Sequence, residues 1–232
     1  MSHFVCAVFT KEGQNYEDLL APFNEQDEAY MEFTPTDKTQ EELLARYEEV
    51  KEKYHYSTFD QYMKDYYGYM QQDGAWGYME NPNAKWDWYQ DGGRWSGFFR
   101  CKDGTPTNGD LVSEIEFGPD PEKYKKALRF WEVVVEEQPQ RPDENKDDFF
   151  HLWKKEYYLE QYGNKEAYAK HAASSVPFAF LTADGEWMEE GSMGWFGCSD
   201  STMASREAFT KAYEQYVAEH PDLIVTAVDC HI

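Results

Sequence analysis

Two apolar runs near the ends of the chain decide the fold expected of this sequence. They read HFVCAVFT from His3 to Thr10 and LIVTAVDCHI from Leu223 to Ile232. Near-continuous apolar runs of this length, rich in β-branched residues, are typical of strands covered on both faces of a sheet. We therefore predict that both segments are buried strands of one central sheet, where they could lie side by side.

Patterns typical of helices and of one β-hairpin fill the chain between these strands. Thr39 and Glu42 have the spacing of a capping box, which marks the start of a helix. Four more helices are expected to begin near Ser57, after Pro121, near Asp147 and near Met203. The third of these four should turn its aromatic side chains inward: Phe149, Phe150, Trp153 and Tyr157. A hairpin is predicted between Pro177 and Met188, with its turn at Ala183-Asp184-Gly185.

These elements predict an α+β fold. Its central sheet would include both terminal strands and the C-terminal β-hairpin, with several helices packed against it. Because the first and last strands would share a sheet, we expect residues 1–232 to form a single domain. The helical region at about 120–173 could be an insertion into that domain.

Composition narrows the classes of protein that the chain can belong to. Its 232 residues include 22 basic and 45 acidic side chains, for a net charge of −23, and 18% are aromatic. This aromatic content argues against general disorder, and no apolar run reaches the ~18 residues of a membrane span. The negative charge disfavours direct binding to nucleic-acid or membrane phosphates. We see no signal peptide and expect a cytoplasmic protein whose four cysteines are reduced.

The first candidate site is the segment Asn81 to Cys101, which reads NPNAKWDWYQDGGRWSGFFRC. Indole rings beside a glycine-rich turn can form a stacking wall for a base or another planar group. Arg94 could pair with a phosphate, since its guanidinium can donate two parallel hydrogen bonds. The ligand-binding residues expected here are Trp86, Asp87, Trp88, Arg94 and Trp95. Alternatively, the tryptophans belong to the core and Gly92-Gly93 is a hairpin turn before a strand.

A second glycine-rich patch reads GSMGWFGCSD from Gly191 to Asp200. Three glycines surround Trp195 and Phe196, a pattern that could bring the backbone close to a ligand, and we expect Trp195 to contact it. The patch lacks the G-K-[ST] ending of a phosphate-binding loop and the dinucleotide fingerprint. The alternative is an ordinary glycine-rich loop after the hairpin.

The third candidate site is Asp229-Cys230-His231. In a strand, Asp229 and His231 point to one face, and pairing of the terminal strands would bring His3 near His231. A histidine oriented by a carboxylate suits proton transfer, so His231, Asp229 and His3 are the catalytic candidates. The same side chains could bind a metal, but no further ligand has a fixed spacing, and we predict neither a metal nor a cofactor. They could also be ordinary polar residues at a strand end.

The chain resembles an uncharacterised family of phage and prophage proteins. The resemblance lies in the start MSHF at Met1, the run NAKWDWY to GGRW from Asn83 to Trp95, the Gly194-Trp195 loop and the ending VDCHI at Ile232. These motifs frame almost the whole chain. The resemblance implies a phage setting, and by analogy it suggests interference with host defence systems or with the nucleotide signals that they use.

Two functions from different classes follow. In the first, a phage accessory protein binds a small nucleotide-like ligand in a Trp- and Gly-rich pocket, and either sequesters or hydrolyses it. In the second, an acidic, DNA-mimic-like inhibitor docks on a host nuclease or DNA-binding protein, because spaced carboxylates can imitate a phosphate ladder. Solvated helix faces produce the same charge pattern. A host defence protein is thus a possible partner, and the sequence predicts no oligomeric state.

Overall fold

The computed structural model describes residues 2–194 and 197–232, so the prediction placed on Trp195 lies outside the described residues. The strands are β1 (His3–Thr10), β2 (Glu32–Pro35), β3 (Met70–Gln72), β4 (Ala75–Glu80), β5 (Trp88–Asp91), β6 (Phe99–Arg100), β7 (Pro106–Thr107), β8 (Gly109–Leu111), β9 (Ala179–Leu181), β10 (Trp187–Glu189) and β11 (Ile224–His231). The α-helices are α1 (Tyr16–Leu20), α2 (Gln40–Tyr54), α3 (Phe59–Tyr67), α4 (Pro121–Val134), α5 (Lys155–Tyr162), α6 (Lys165–Ala173) and α7 (Met203–Glu219).

The chain forms two compact units. The first unit comprises Met1–Leu19 and Trp88–Ile232, and the second comprises Leu20–Asp87. The sequence did not indicate this division, and the prediction of one domain with a helical insertion stays a prediction. No helix within the described ranges is long and apolar enough to cross a membrane.

The central sheet of the first unit confirms the predicted α+β fold. Its strand order is β10-β9-β1-β11-β5, and β8 pairs with β11 along the same edge as β5. Strands β1 and β11 are antiparallel over eight residues each, from the pair His3–His231 to the pair Thr10–Ile224. The predicted hairpin is present as β9 and β10, and β9 runs parallel to β1. Both terminal strands are therefore in one sheet, as the apolar runs predicted.

One face of this sheet carries the core of the first unit. Alternate residues of β1 and β11 point to this face and pack against Phe209 and Tyr213 of α7. All of these strand residues are almost fully buried: Val5, Ala7, Phe9, Val225 and Ala227. The predicted last helix is thus confirmed as α7. A fully buried side chain of the size of valine or phenylalanine contributes about 1.5–3 kcal/mol to stability, and a one-residue slip would move this whole set to the other face, so burial fixes the register of the two strands.

The helical region after Pro121 has its own aromatic cluster, and here one prediction was wrong. Asp120 caps α4 with its side chain, as expected of a helix with proline in its first turn. No long helix begins near Asp147, however. A short 3-10 helix at Lys146–Phe149 ends in extended backbone, and α5 starts only at Lys155. Phe150 is therefore 73% exposed and Trp153 48% exposed, rather than inward.

The second unit packs two helices with the three-stranded sheet β2-β4-β3. The capping box of Thr39 and Glu42 is present at the start of α2. Thr58, one residue after the expected Ser57, caps α3, and Gly68 ends that helix in the left-handed conformation. Tyr62 is fully buried and stacks with neighbouring tyrosines, so the aromatic residues of this unit form its core.

Candidate functional site

Pairing of the terminal strands brings two histidines together at one end of the central sheet. His3 of β1 lies directly opposite His231 of β11, and their ring centroids are 4.8 Å apart at an interplanar angle of 74°. Directly opposed residues of an antiparallel pair point to the same face. The rings therefore lie on the face that carries the core, beyond the pairs Ala7–Ala227 and Val5–Asp229.

Asp229 holds one of these histidines in a fixed orientation. It lies two residues before His231 on β11 and so points to the same face of the sheet. Its Oδ1 atom accepts a hydrogen bond of 2.8 Å from His3 Nδ1, and its Oδ2 atom accepts one of 2.9 Å from the backbone N–H of Arg94. A carboxylate only accepts, so His3 Nδ1 is the donor of this bond, and in the neutral form of the ring the lone pair therefore lies on Nε2.

A glycine turn makes the second of these hydrogen bonds possible. Gly92 and Gly93 both have positive φ angles, +63° and +49°. A Cβ atom on Gly93 would lie 2.4 Å from Asp229 Oδ2, a separation that real side chains do not show. Gly92 also donates a backbone hydrogen bond of 2.9 Å to Ala227 of β11. Glycine is therefore required at position 93 because the turn passes directly against the carboxylate.

Trp88 supplies an aromatic surface next to the histidines. It lies opposite His231 in the register of β5 and β11, and the two rings stack with centroids 5.0 Å apart and planes 19° apart. Its ring also meets His3 edge-on at 5.3 Å. Trp88 is 44% exposed, whereas the side chains of His3 and Asp229 are 5% and 2% exposed. The group of His3, Asp229, His231 and Trp88 is called the histidine cluster below.

The other residues that were predicted to bind a ligand do not all lie at the histidine cluster. Arg94 joins the histidine cluster through its backbone N–H, and its side chain is exposed. Trp95 is half-buried against the core of the first unit, as the packing alternative predicted. Trp86 is 4% exposed within the second unit, and Asp87 is the last residue of that unit. The structure therefore brings the three catalytic candidates together with Trp88 and the Arg94 backbone. Trp95, in contrast, packs against the core.

Ser2 is a residue of this region that the sequence did not reveal. It is 3% exposed and precedes His3 directly. Its hydroxyl donates a hydrogen bond of 2.7 Å to the Gly194 carbonyl and accepts one of 2.8 Å from the Gly197 N–H. Ser2 thus fastens the glycine-rich patch, at Gly194 and at Gly197, to the start of the chain just before β1. A serine before a strand carries no signal of this role.

The opposite face of the same strands contributes no nucleophile. Cys6 and Cys230 are free, fully buried thiols on that face. Burial, together with a hydrogen bond to Cys230, raises the pKa of the Cys6 thiol well above its usual value, so it stays protonated.

Among the described residues no group of three His, Cys, Asp or Glu side chains has the arrangement needed to hold a metal ion. The chemistry that this region offers is therefore proton transfer and aromatic stacking.

Comparison with known proteins adds no constraint on this site. No protein-family model, no curated protein and no solved structure matches the chain.

Proposed function

We propose that the chain binds a small nucleotide-like ligand at the histidine cluster and hydrolyses a phosphoester bond of it. The observation that carries this proposal is the pair of hydrogen bonds on Asp229, which holds His3 with the lone pair on Nε2. Sequestration of a ligand needs no oriented base, whereas general base catalysis does. This geometry therefore favours hydrolysis over binding alone.

Each residue of the cluster has a role in this reaction. Trp88 would stack on the base of the ligand with its exposed ring. His3 Nε2 would accept the proton of an attacking water as the new P–O bond forms. His231, 4.8 Å from His3, would give a proton to the leaving oxygen as the old P–O bond breaks. The exposed side chain of Arg94 would pair with a phosphate oxygen.

The resemblance to phage and prophage proteins guides the choice of ligands, because it suggests the nucleotide signals of host defence. The test is a thermal-shift screen against nucleotides, cyclic dinucleotides and NAD-derived signals, followed by chromatography of each compound. A ligand at 100 times its dissociation constant should add about 2.7 kcal/mol to the free energy of unfolding. We expect a shift together with a chemically altered ligand.

Matched variants separate binding from turnover. Trp88→Ala should weaken the thermal shift, and His3→Gln should retain the shift while product formation falls at least ~100-fold. His151→Gln is the control, because this histidine is exposed and lies outside the cluster. A shift with the ligand recovered intact would reduce the function to sequestration. No shift and no product across the panel would overturn the proposal and favour the acidic inhibitor of a host protein.

A further inference from the structure

A cavity of about 580 Å³ in the first unit lies apart from the residues of the histidine cluster. Its walls come from α6 and α7, and Phe117 and Val176 also line it. Residues of α7 that line it recur at helical spacing on one face: Met203, Arg206, Thr210, Tyr213 and Val217. The volume lies within the range of roughly 300–1,000 Å³ that is usual for sites of small molecules.

Arg206 is the polar side chain that makes this cavity more than an apolar cleft. Its Nε atom donates a hydrogen bond of 3.0 Å to Glu190, and the two side chains are only 16% and 11% exposed. A guanidinium has five N–H donors. Among the described residues the Nε–Glu190 bond is the single hydrogen bond of this guanidinium, and Nη1 is buried without a partner. Leaving donors of a buried guanidinium unpaired is costly. Binding of a ligand whose acceptor atom reaches this guanidinium is therefore favoured.

The charges around the cavity favour an uncharged ligand. Inside, the positive charge of Arg206 is balanced by the carboxylate of Glu190. The exposed lining residues balance as well, with two bases and two acids: Lys170, Lys211, Glu207 and Glu214. An anionic ligand beside the little-exposed Arg206–Glu190 pair would therefore bring a charge that the balanced lining does not compensate, which is unfavourable.

An aromatic surface completes the site. The Arg206 guanidinium lies over the ring of Tyr162, 5.4 Å from its centroid. Tyr162 in turn lies 5.2 Å from the ring of His171, and both line the cavity. A planar ligand next to Tyr162 would have its edge near the unused donors of Arg206.

We infer that this cavity binds an uncharged, planar aromatic molecule with a carbonyl oxygen, and that Arg206 donates to that oxygen. The class includes aryl amides and ring lactams. This inference does not depend on the proposed function of the histidine cluster, because no residue is shared between the two.

The test compares two probes of nearly the same shape, the neutral 2-naphthamide and the anionic 2-naphthoate, both of which offer a carbonyl oxygen. Isothermal titration should give saturable binding of the amide, and at least ~10-fold weaker binding of the carboxylate, since the carboxylate adds an uncompensated charge. Arg206→Lys keeps the positive charge but loses the planar set of donors, and it should weaken amide binding at least ~10-fold. Thr210→Trp fills the cavity and should abolish binding.

Controls make the result decisive. Both variants are checked by circular dichroism and thermal unfolding, and Thr210→Trp gives an independent readout if Arg206→Lys does not fold. His3→Gln should leave amide binding unchanged. Tighter binding of 2-naphthoate than of 2-naphthamide would overturn the assignment of an uncharged ligand. Absence of amide binding, or binding that survives Thr210→Trp, would overturn the site itself.

Discussion

Replacing Gly93 with alanine should dismantle the contact between the glycine turn and Asp229. The φ angle of Gly93 is +49°, and a non-glycine residue in this region costs about 1–2 kcal/mol. The added Cβ would also lie 2.4 Å from Asp229 Oδ2, so the carboxylate or the turn must move and the bond from the Arg94 N–H is lost. A hydrogen bond to a charged group contributes about 1.5–3 kcal/mol. We therefore expect Gly93→Ala to lower the free energy of unfolding by about 3–5 kcal/mol.

The matched control is Gly13→Ala in the same unit. Gly13 has a φ angle of +76°, and no other atom lies within 4 Å of the position its Cβ would take. This variant should lose only the backbone contribution of about 1–2 kcal/mol. Urea denaturation of both variants and the wild type measures the difference. Equal destabilisation by the two substitutions would refute the view that the close approach to Asp229 is what requires glycine at position 93.

Three further substitutions test separate parts of the structure. In Asp229→Asn the amide N–H can donate to His3 Nδ1 and the amide oxygen can still accept from the backbone, so urea denaturation should show a loss of only about 1 kcal/mol. Turnover should fall at least ~100-fold because the His3 proton moves to Nε2, and unchanged turnover would contradict the proposed base. Hydrogen bonds from Arg129 lower the pKa of Glu144 to about 2 from 4.5, so this stabilisation is present above pH 4.5 and is lost as the pH falls towards 2. Glu144→Gln should therefore be less stable than the wild type at neutral pH, with the difference disappearing in denaturation measured near pH 2, and a constant difference would count against the pair. Phe150→Ser should change stability by less than about 0.5 kcal/mol, since the ring is 73% exposed, and a larger loss would show that it packs inward.

The main sheet could be predicted because its signals are local. Two apolar runs marked β1 and β11 as buried strands of one sheet, and the structure shows that they also lie side by side. The capping box at Thr39 and the proline at position 121 predicted helix starts, because a side-chain oxygen satisfies free N–H groups at the first and proline suits the first turn at the second. The helix expected near Asp147 failed because aromatic spacing resembles a helical pattern, whereas the backbone at Phe150 is extended. The strands of the second unit are short, and all three residues of β3 are exposed, so these strands carry little hydrophobic signal.

The histidine cluster could be predicted only in part. His3 and His231 lie opposite each other because the two terminal strands pair. Asp229 points to the same face because side chains two residues apart in a strand share a face. Which carboxylate oxygen meets which donor depends on the path of the Gly92-Gly93 turn, and composition does not encode that path. The burial of Trp86 and the exposure of Trp88, two residues apart, likewise depend on tertiary packing rather than on residue type.

The most direct test of the account is the protonation state of the His3 ring. Long-range ¹H–¹⁵N correlation spectra of the imidazole side chains, recorded at alkaline pH, distinguish the two neutral tautomers. We predict that the neutral His3 ring carries its proton on Nδ1, bonded to Asp229 at 2.8 Å, with the lone pair on Nε2. A His3 ring protonated on Nε2 would contradict it, because the atom proposed to accept the proton of water would then already hold one.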